Sequence, residues 1–184
     1  EADVAARIAH IRAPRWIGHP GAAAAHVAMQ QLLERPSSLR PRGLLLAGPY
    51  HNGKTMIAER FAVEHLRRAD RQKVWVIQTR EGAGLSHFYA SILSGLRAPQ
   101  AAGWRSLSRA SEQVDHLLDS LKPRLLIFDE FHSALRGRRQ DVKAIFSFLR
   151  RIARVHDISP VLVGEIAVYD ALPDTDEMGS RLAT

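Results

Sequence analysis

The sequence contains no cysteine, so a disulfide framework and thiolate metal sites are excluded, as suits a reducing compartment. It holds no apolar run approaching the roughly 18 residues of a membrane span, and no signal-peptide pattern opens it. The expectation is a soluble, cytoplasmic protein with no membrane partner. The first residue is Glu1 rather than methionine, so the start is read as processed or trimmed. Internal repeats and low-complexity tracts are lacking. The nine histidines include no pair at a spacing suited to a metal, and none is assigned to catalysis. Also missing is any Asn-Lys-x-Asp segment.

What remains is substantial: 184 residues at 46% hydrophobic make one domain that buries about 70% of its unfolded surface. Lys plus Arg number 26 against 19 acidic residues, a net charge of +7, and arginine supplies nearly all of the excess. Guanidinium forks suit phosphate oxygens, so a nucleic-acid backbone is one reading of this bias. A coding bias that replaces Lys by Arg is the other, and composition leaves both open.

The chain is organised around Gly48-Pro49-Tyr50-His51-Asn52-Gly53-Lys54-Thr55, which meets G-x-x-x-x-G-K-[ST] at every fixed position. The apolar run from Gly43 to Ala47 delivers it as a strand, and apolar residues three and four apart from Met56 onward continue it as a helix. Glycines let such a loop curl with its amides inward, while the positive end of the helix faces the phosphates. Lys54 can reach the β and γ phosphates and Thr55 can ligate Mg²⁺. Met56, opening the helix, is grouped with the nucleotide-binding residues. Tyr50, His51 and Asn52 occupy the free positions, and their side chains are read as non-catalytic.

Around this loop, residues 4 to 12 predict a short helix with Val4, Ile8 and Ile11 on one side. Prolines and glycines in 13–21 break it, and a second helix is expected over 22–34. Downstream, strands at 73–79, 124–128 and 160–164 alternate with helices at 85–96, 107–121 and 140–155. That order predicts an α/β fold, a parallel sheet with helices on both faces. The strand Leu125-Leu126-Ile127-Phe128 runs into Asp129-Glu130, and a buried strand carries charge where it emerges, at the edge where such sheets bind ligands. Asp129 is expected to hold Mg²⁺, and Glu130 to orient and deprotonate the attacking water. A base that activates water favours ATP hydrolysis over small-molecule phosphorylation.

With these pieces together, the sequence resembles TniB-type transposition ATPases, a branch of the AAA+ superfamily similar to TnsC and more distantly to IstB. The resemblance rests on Arg7 to Arg12 with Arg15-Trp16-Ile17-Gly18-His19-Pro20, on Gly48 to Ile57, and on Asp129-Glu130-Phe131-His132. It continues through Pro160 to Gly164, Ala167 to Leu172 and Ser180-Arg181-Leu182. It implies an αβα sandwich with an AAA+ P-loop core over 43–184, and an N-terminal helical extension over 1–42 that contributes to the adenine pocket. The 160–164 strand should lie between the phosphate-loop strand and the Asp129 strand. Trp16, Ile17 and Gly18 should pass beside adenine, although Trp16 also reads as a core aromatic. Arg181 matches an arginine finger acting in trans, although it also reads as a surface arginine. Glu165 stands where the family carries a small polar sensor, and would repel the γ-phosphate unless it points away or pairs with an arginine. The sequence stops at Thr184, which is expected to fall before the last core strand and the helical lid.

The implied function is an ATP- and Mg²⁺-dependent regulator that assembles on duplex DNA as a homo-oligomer or filament and recruits or activates a transposase. Arg80, His87, Arg105 and Arg109 are loosely matched to pore-lining positions of TnsC-like rings, and Arg138 and Arg139 extend a basic run after the acidic pair. Contacts there would be with phosphate and tolerant of sequence. Two other readings share the site: a nucleotide-gated DNA scaffold with negligible hydrolysis, and an AAA+ helicase or clamp loader.

Overall fold

The computed structural model describes residues 2–12, 16, 18–37, 42–66, 72–80, 82, 84–98, 106–170 and 182–183. Five strands, β1 (Gly43–Ala47), β2 (Val74–Gln78), β3 (Leu125–Asp129), β4 (Ser159–Gly164) and β5 (Leu182–Ala183), form one sheet in the order β2-β3-β4-β1-β5. Every pairing is parallel, with Leu44 opposite Val161, Leu126 opposite Pro160 and Val74 opposite Leu125. β4 therefore separates the phosphate-loop strand from the Asp129 strand, as the resemblance implies.

The all-apolar strands predict a sheet covered on both faces, and β3 and β4 are buried at every position. Alternation along β3 divides the core. Leu125 and Ile127 face one layer with Ala22, Ala25 and Met29 of α2 (Pro20–Glu34) and Ile57 and Phe61 of α3 (Lys54–Leu66). Leu126 and Phe128 face the other, formed by α4 (Leu85–Gly95), α5 (Leu107–Leu121) and α6 (Arg139–Val155). There Phe88 stacks on Phe128 at 5.5 Å and meets Phe148 and Phe131 edge-on. Each such buried ring contributes roughly 1.5–3 kcal/mol by burial alone.

The element ends follow local chemistry. The His19 side chain accepts from Ala22 N and caps α2, which starts at Pro20, two residues before the expected point. Ser106 likewise caps α5 by accepting from Arg109 N, and Lys122 in the left-handed region closes it. A 3₁₀ helix, Phe131–Arg136, and the four-residue α7, Ala167–Asp170, have no counterpart among the expected elements, because neither is long enough to show a periodicity. The expectation that the sequence stops before the last core strand is corrected: β5 pairs with β1, Gly43 opposite Leu182 and Leu44 opposite Ala183. A two-residue strand carries no alternation to read. α1 (Ala2–Arg12) forms as expected, but Val4, Ile8 and Ile11 are 56%, 44% and 78% exposed.

Candidate functional site

The site lies where β1, β4 and β3 end side by side. Gly48 N donates to Gly164 O at 3.2 Å, which ties the start of the phosphate loop to the end of β4. Gly53 has φ +81, a conformation that a side chain would strain, and its carbonyl accepts from Ile57 N to open α3. Lys54 is buried, and its ammonium donates to Gly48 O at 3.0 Å, Pro49 O at 2.6 Å and Asn52 Oδ1 at 3.1 Å. All three of its protons point into the loop, the place where phosphate oxygens belong in a cradle of this type. Asn52 thus takes part through its side chain, a role that its free position in the motif does not suggest. Thr55 is half-buried and Met56 is exposed at the head of α3.

Two strands away, Asp129 ends β3 and is 1% exposed. Its Oδ1 accepts from Glu130 N at 3.0 Å, while Oδ2 has no hydrogen-bond partner among the described residues. Thr79 Oγ1, on the neighbouring loop whose amide donates to Asp129 O at 2.9 Å, is buried and equally without a partner. A buried carboxylate oxygen left unpaired is costly, and a hydrated divalent cation is the kind of group that satisfies it, so these residues fit Mg²⁺. Glu130 adopts φ 53 and ψ 36, a left-handed conformation costing of order 1 kcal/mol or more, and its carbonyl accepts from Ser133 N to start the 3₁₀ helix. This turn takes the Glu130 side chain out of the strand's alternation and leaves it half-exposed beside the buried aspartate.

Sequence reasoning assigns no histidine here, yet His132 is nearly buried at the centre of the acidic cluster. Its Nε2 lies 3.0 Å from Glu165 Oε1 and 3.4 Å from Glu130 Oε2, and its ring meets Tyr50 edge-on at 6.1 Å. Glu165 therefore finds its partner in a histidine rather than an arginine. The Tyr50 hydroxyl donates to the Glu165 carboxylate, which holds the phenol above its ordinary range. The sequence signals pointing to His132 are its place two residues after Glu130 and its inclusion in the Asp129-Glu130-Phe131-His132 segment that carries the family resemblance.

A second feature lies at the amino end of α2. A cleft of about 420 Å³ is lined by Trp16, Gly18, His19, Pro20, His26, Arg60 and Glu64, among others. Trp16 stacks on His26 at 5.9 Å and takes the Arg60 guanidinium at 4.9 Å, while His26 Nε2 reaches Ile57 O at 3.1 Å. Trp16 and Gly18 thus come together beside α3, the helix that carries Thr55 and Met56; Ile17 lies outside the described residues.

Of the basic candidates, Arg80, Arg109, Arg138 and Arg139 are exposed. The loop after β2 and the turn before α6 touch: a Cβ on Gly137 would lie 3.1 Å from Gly84 N, and one on Gly84 would lie 3.5 Å from Asp141 Oδ2. That contact brings the start of α4 beside the Arg138–Arg139 turn. Arg80 donates to Ser94 Oγ at 3.0 Å, and Arg109 sits in the first turn of α5. Arg105 and Arg181 lie outside the described residues, although Arg181 directly precedes β5. Among the described residues no group of three His, Asp or Glu forms a metal cluster, and no helix is long and apolar enough to cross a membrane.

The arrangement is similar to solved structures. The Aeropyrum pernix Orc1 protein in complex with DNA matches with TM-score 0.70 at 18% identity, over 92% of this chain and 44% of that one. Cdc6p from Pyrobaculum aerophilum matches with TM-score 0.64 at 17% identity, over 92% and 45%. AMPPCP-bound DnaA from Aquifex aeolicus matches with TM-score 0.56 at 17% identity, over 90% and 45%. At such identities the likeness establishes the fold, an AAA+ core, and the chain spans less than half the length of each of these proteins. No curated protein matches the sequence. A family model described as "Bacterial TniB protein" matches residues 7–184, and the chain belongs to that family.

Proposed function

We propose that this protein is a Mg²⁺-dependent ATPase that assembles on duplex DNA and controls a transposase. The observation that carries the enzymatic part is the buried Asp129 with its unpaired Oδ2 and Glu130 turned out beside it, at the same sheet edge as a complete phosphate loop. In this reading the Lys54 protons exchange their loop carbonyls for β- and γ-phosphate oxygens. Thr55 and Asp129 hold Mg²⁺, which when bound neutralises charge on those phosphates. Glu130 accepts a proton from the attacking water as the bond from the γ-phosphorus to the bridging oxygen breaks, leaving ADP and phosphate. The amide-lined loop from Gly48 to Thr55, including Pro49, Tyr50, His51, Asn52 and Gly53, wraps the phosphates. Met56, exposed at the head of α3, belongs to the nucleotide-binding set, and Trp16, Ile17 and Gly18 pass beside adenine. Arg181 of a neighbouring copy completes the site, which makes the active form an oligomer.

The DNA-directed part is supported by the family and by the exposure of Arg80, Arg109, Arg138 and Arg139. The solved neighbours include one protein described in complex with DNA and one bound to AMPPCP, so the same fold serves both ligands elsewhere. The deciding experiment is ATP turnover with and without duplex DNA, for wild type and Lys54→Ala. Turnover that DNA raises and Lys54→Ala abolishes is the expected result. Binding of ATP and DNA without turnover would instead leave a nucleotide-gated scaffold.

A further inference from the structure

Three side chains beside the acidic pair take no part in the reaction described above: Tyr50, His132 and Glu165. His132 Nε2 lies 3.0 Å from Glu165 and 3.4 Å from Glu130. Nδ1 of the same ring is buried and has no hydrogen-bond partner among the described residues, so Nε2–H is the one donor the ring can use. One N–H between two carboxylates makes its best bond to only one of them, and the closer approach belongs to Glu165. The histidine has little room to move. Its ring packs edge-on against Tyr50, and a Cβ on Gly164 would lie 3.4 Å from its backbone nitrogen. Glu165 also accepts from the Tyr50 hydroxyl, at the tip of the phosphate loop, which raises that phenol, while the charge of Arg136 lowers it.

We propose, resting on the ATPase reading above, that His132 is a positioning residue whose single usable N–H is contested by Glu165 and Glu130. Glu165 keeps the N–H from Glu130, so the general base stays free to take a proton from water. His132 in turn keeps the Glu165 carboxylate off the phosphates, which approach the end of β4 because Gly164 O holds Gly48 N. Tyr50 connects the contest to the phosphate loop, so a shift of the loop on nucleotide binding reaches Glu165.

The two partners predict opposite kinetic signatures. In Glu165→Ala the N–H turns to Glu130, and a carboxylate that accepts it is a poorer base: kcat falls about tenfold, with KM and the Kd for mant-ATP unchanged. In His132→Ala, Glu165 keeps only the Tyr50 hydroxyl and is free to turn toward and repel the nucleotide: KM and the mant-ATP Kd rise about tenfold, with kcat kept. The double variant removes both faults and returns both constants to within about threefold of wild type. His132→Gln, whose amide nitrogen stands near the position of Nε2, keeps the donor and stays close to wild type. This variant also answers a loss caused merely by an emptied histidine site, as does a thermal melt of each protein. Losses that add in the double variant, or a His132→Gln as impaired as His132→Ala, would overturn the proposal while leaving the ATPase reading intact. A wild-type protein without turnover would overturn that reading itself.

Discussion

The two ends of one sheet treat their charges in opposite ways. At the amino end, Asp157 sits between two arginines: Arg35 Nη2 lies 2.9 Å from its Oδ1, and Arg124 pairs with its Oδ2, which also accepts from Ser37 at 2.5 Å. Arg35 Nε donates to Ser159 Oγ at 2.9 Å, and Arg124 Nη2 donates to Arg35 O at 2.6 Å. This clasp joins the end of α2 to the starts of β3 and β4. Burial alone would push the Asp157 carboxyl up, but the hydrogen bonds from Ser37 and Arg124 and the charges of both arginines outweigh it and hold the group below its ordinary range. At the carboxyl end, Asp129 Oδ2, Thr79 Oγ1 and His132 Nδ1 are buried without partners among the described residues, and Glu130 is held in a strained turn. The difference teaches that an aspartate next to a buried strand is cheap where cations close round it and costly where they do not. A buried carboxylate with no cation against it among the described residues thus marks the end that binds.

The largest effect that would test this contrast is on turnover. Glu130→Gln keeps the shape of the turn and removes the base, so ATP hydrolysis should fall by about 10²- to 10⁴-fold while the melting temperature stays within about 2 °C of wild type. Equal hydrolysis by the two proteins would break the assignment of the carboxyl end as the reacting one.

The opposite pattern is expected from Asp157→Asn, which leaves Arg35 and Arg124 without their counter-charge. We expect a loss of about 2 kcal/mol, or roughly 4–8 °C in a melt, with the kcat of ATP hydrolysis nearly unchanged. The pH dependence has a definite sign. A carboxyl depressed in the folded state contributes its full stability above its unfolded value of 3.8 and loses it as pH falls below that toward the folded value. Acid melts of wild type should therefore steepen below pH 3.8, and those of Asp157→Asn should lack that component.

Smaller still is the effect of the Arg138–Arg139 turn. Neutralising Arg138 and Arg139 together should reduce the slope of log affinity for duplex DNA against log salt by up to about two units, at about 0.9 per phosphate neutralised, without changing ATP binding. An unchanged slope would remove this turn from the interface. The least effect is expected at α1, whose apolar residues are exposed. Replacing Val4, Ile8 and Ile11 with serine should shift stability by no more than about 0.5 kcal/mol, measured by urea denaturation.

Much of this is legible in the amino-acid order alone. The phosphate loop is a local device whose glycines, lysine and threonine lie within eight positions of one another, and the all-apolar strands imply a parallel sheet covered on both faces. Asp129 is legible because a carboxylate at the end of a buried run has nowhere to lie except the strand's exit. What is not legible depends on residues far apart in the chain. That Glu165 meets His132 requires the end of β4 to lie beside the turn after β3, which strand order decides. That Asp157 is clasped by Arg35 and Arg124 requires three loops from separate crossovers to converge at one sheet edge. β5 escapes notice because two residues carry no period, and the exposed face of α1 because an apolar stripe predicts a helix without saying what covers it. Sequence by itself determined the chemistry available at each strand end. Tertiary structure alone decided which of those groups find partners, because pairing depends on the sheet's order and register, which no single segment contains.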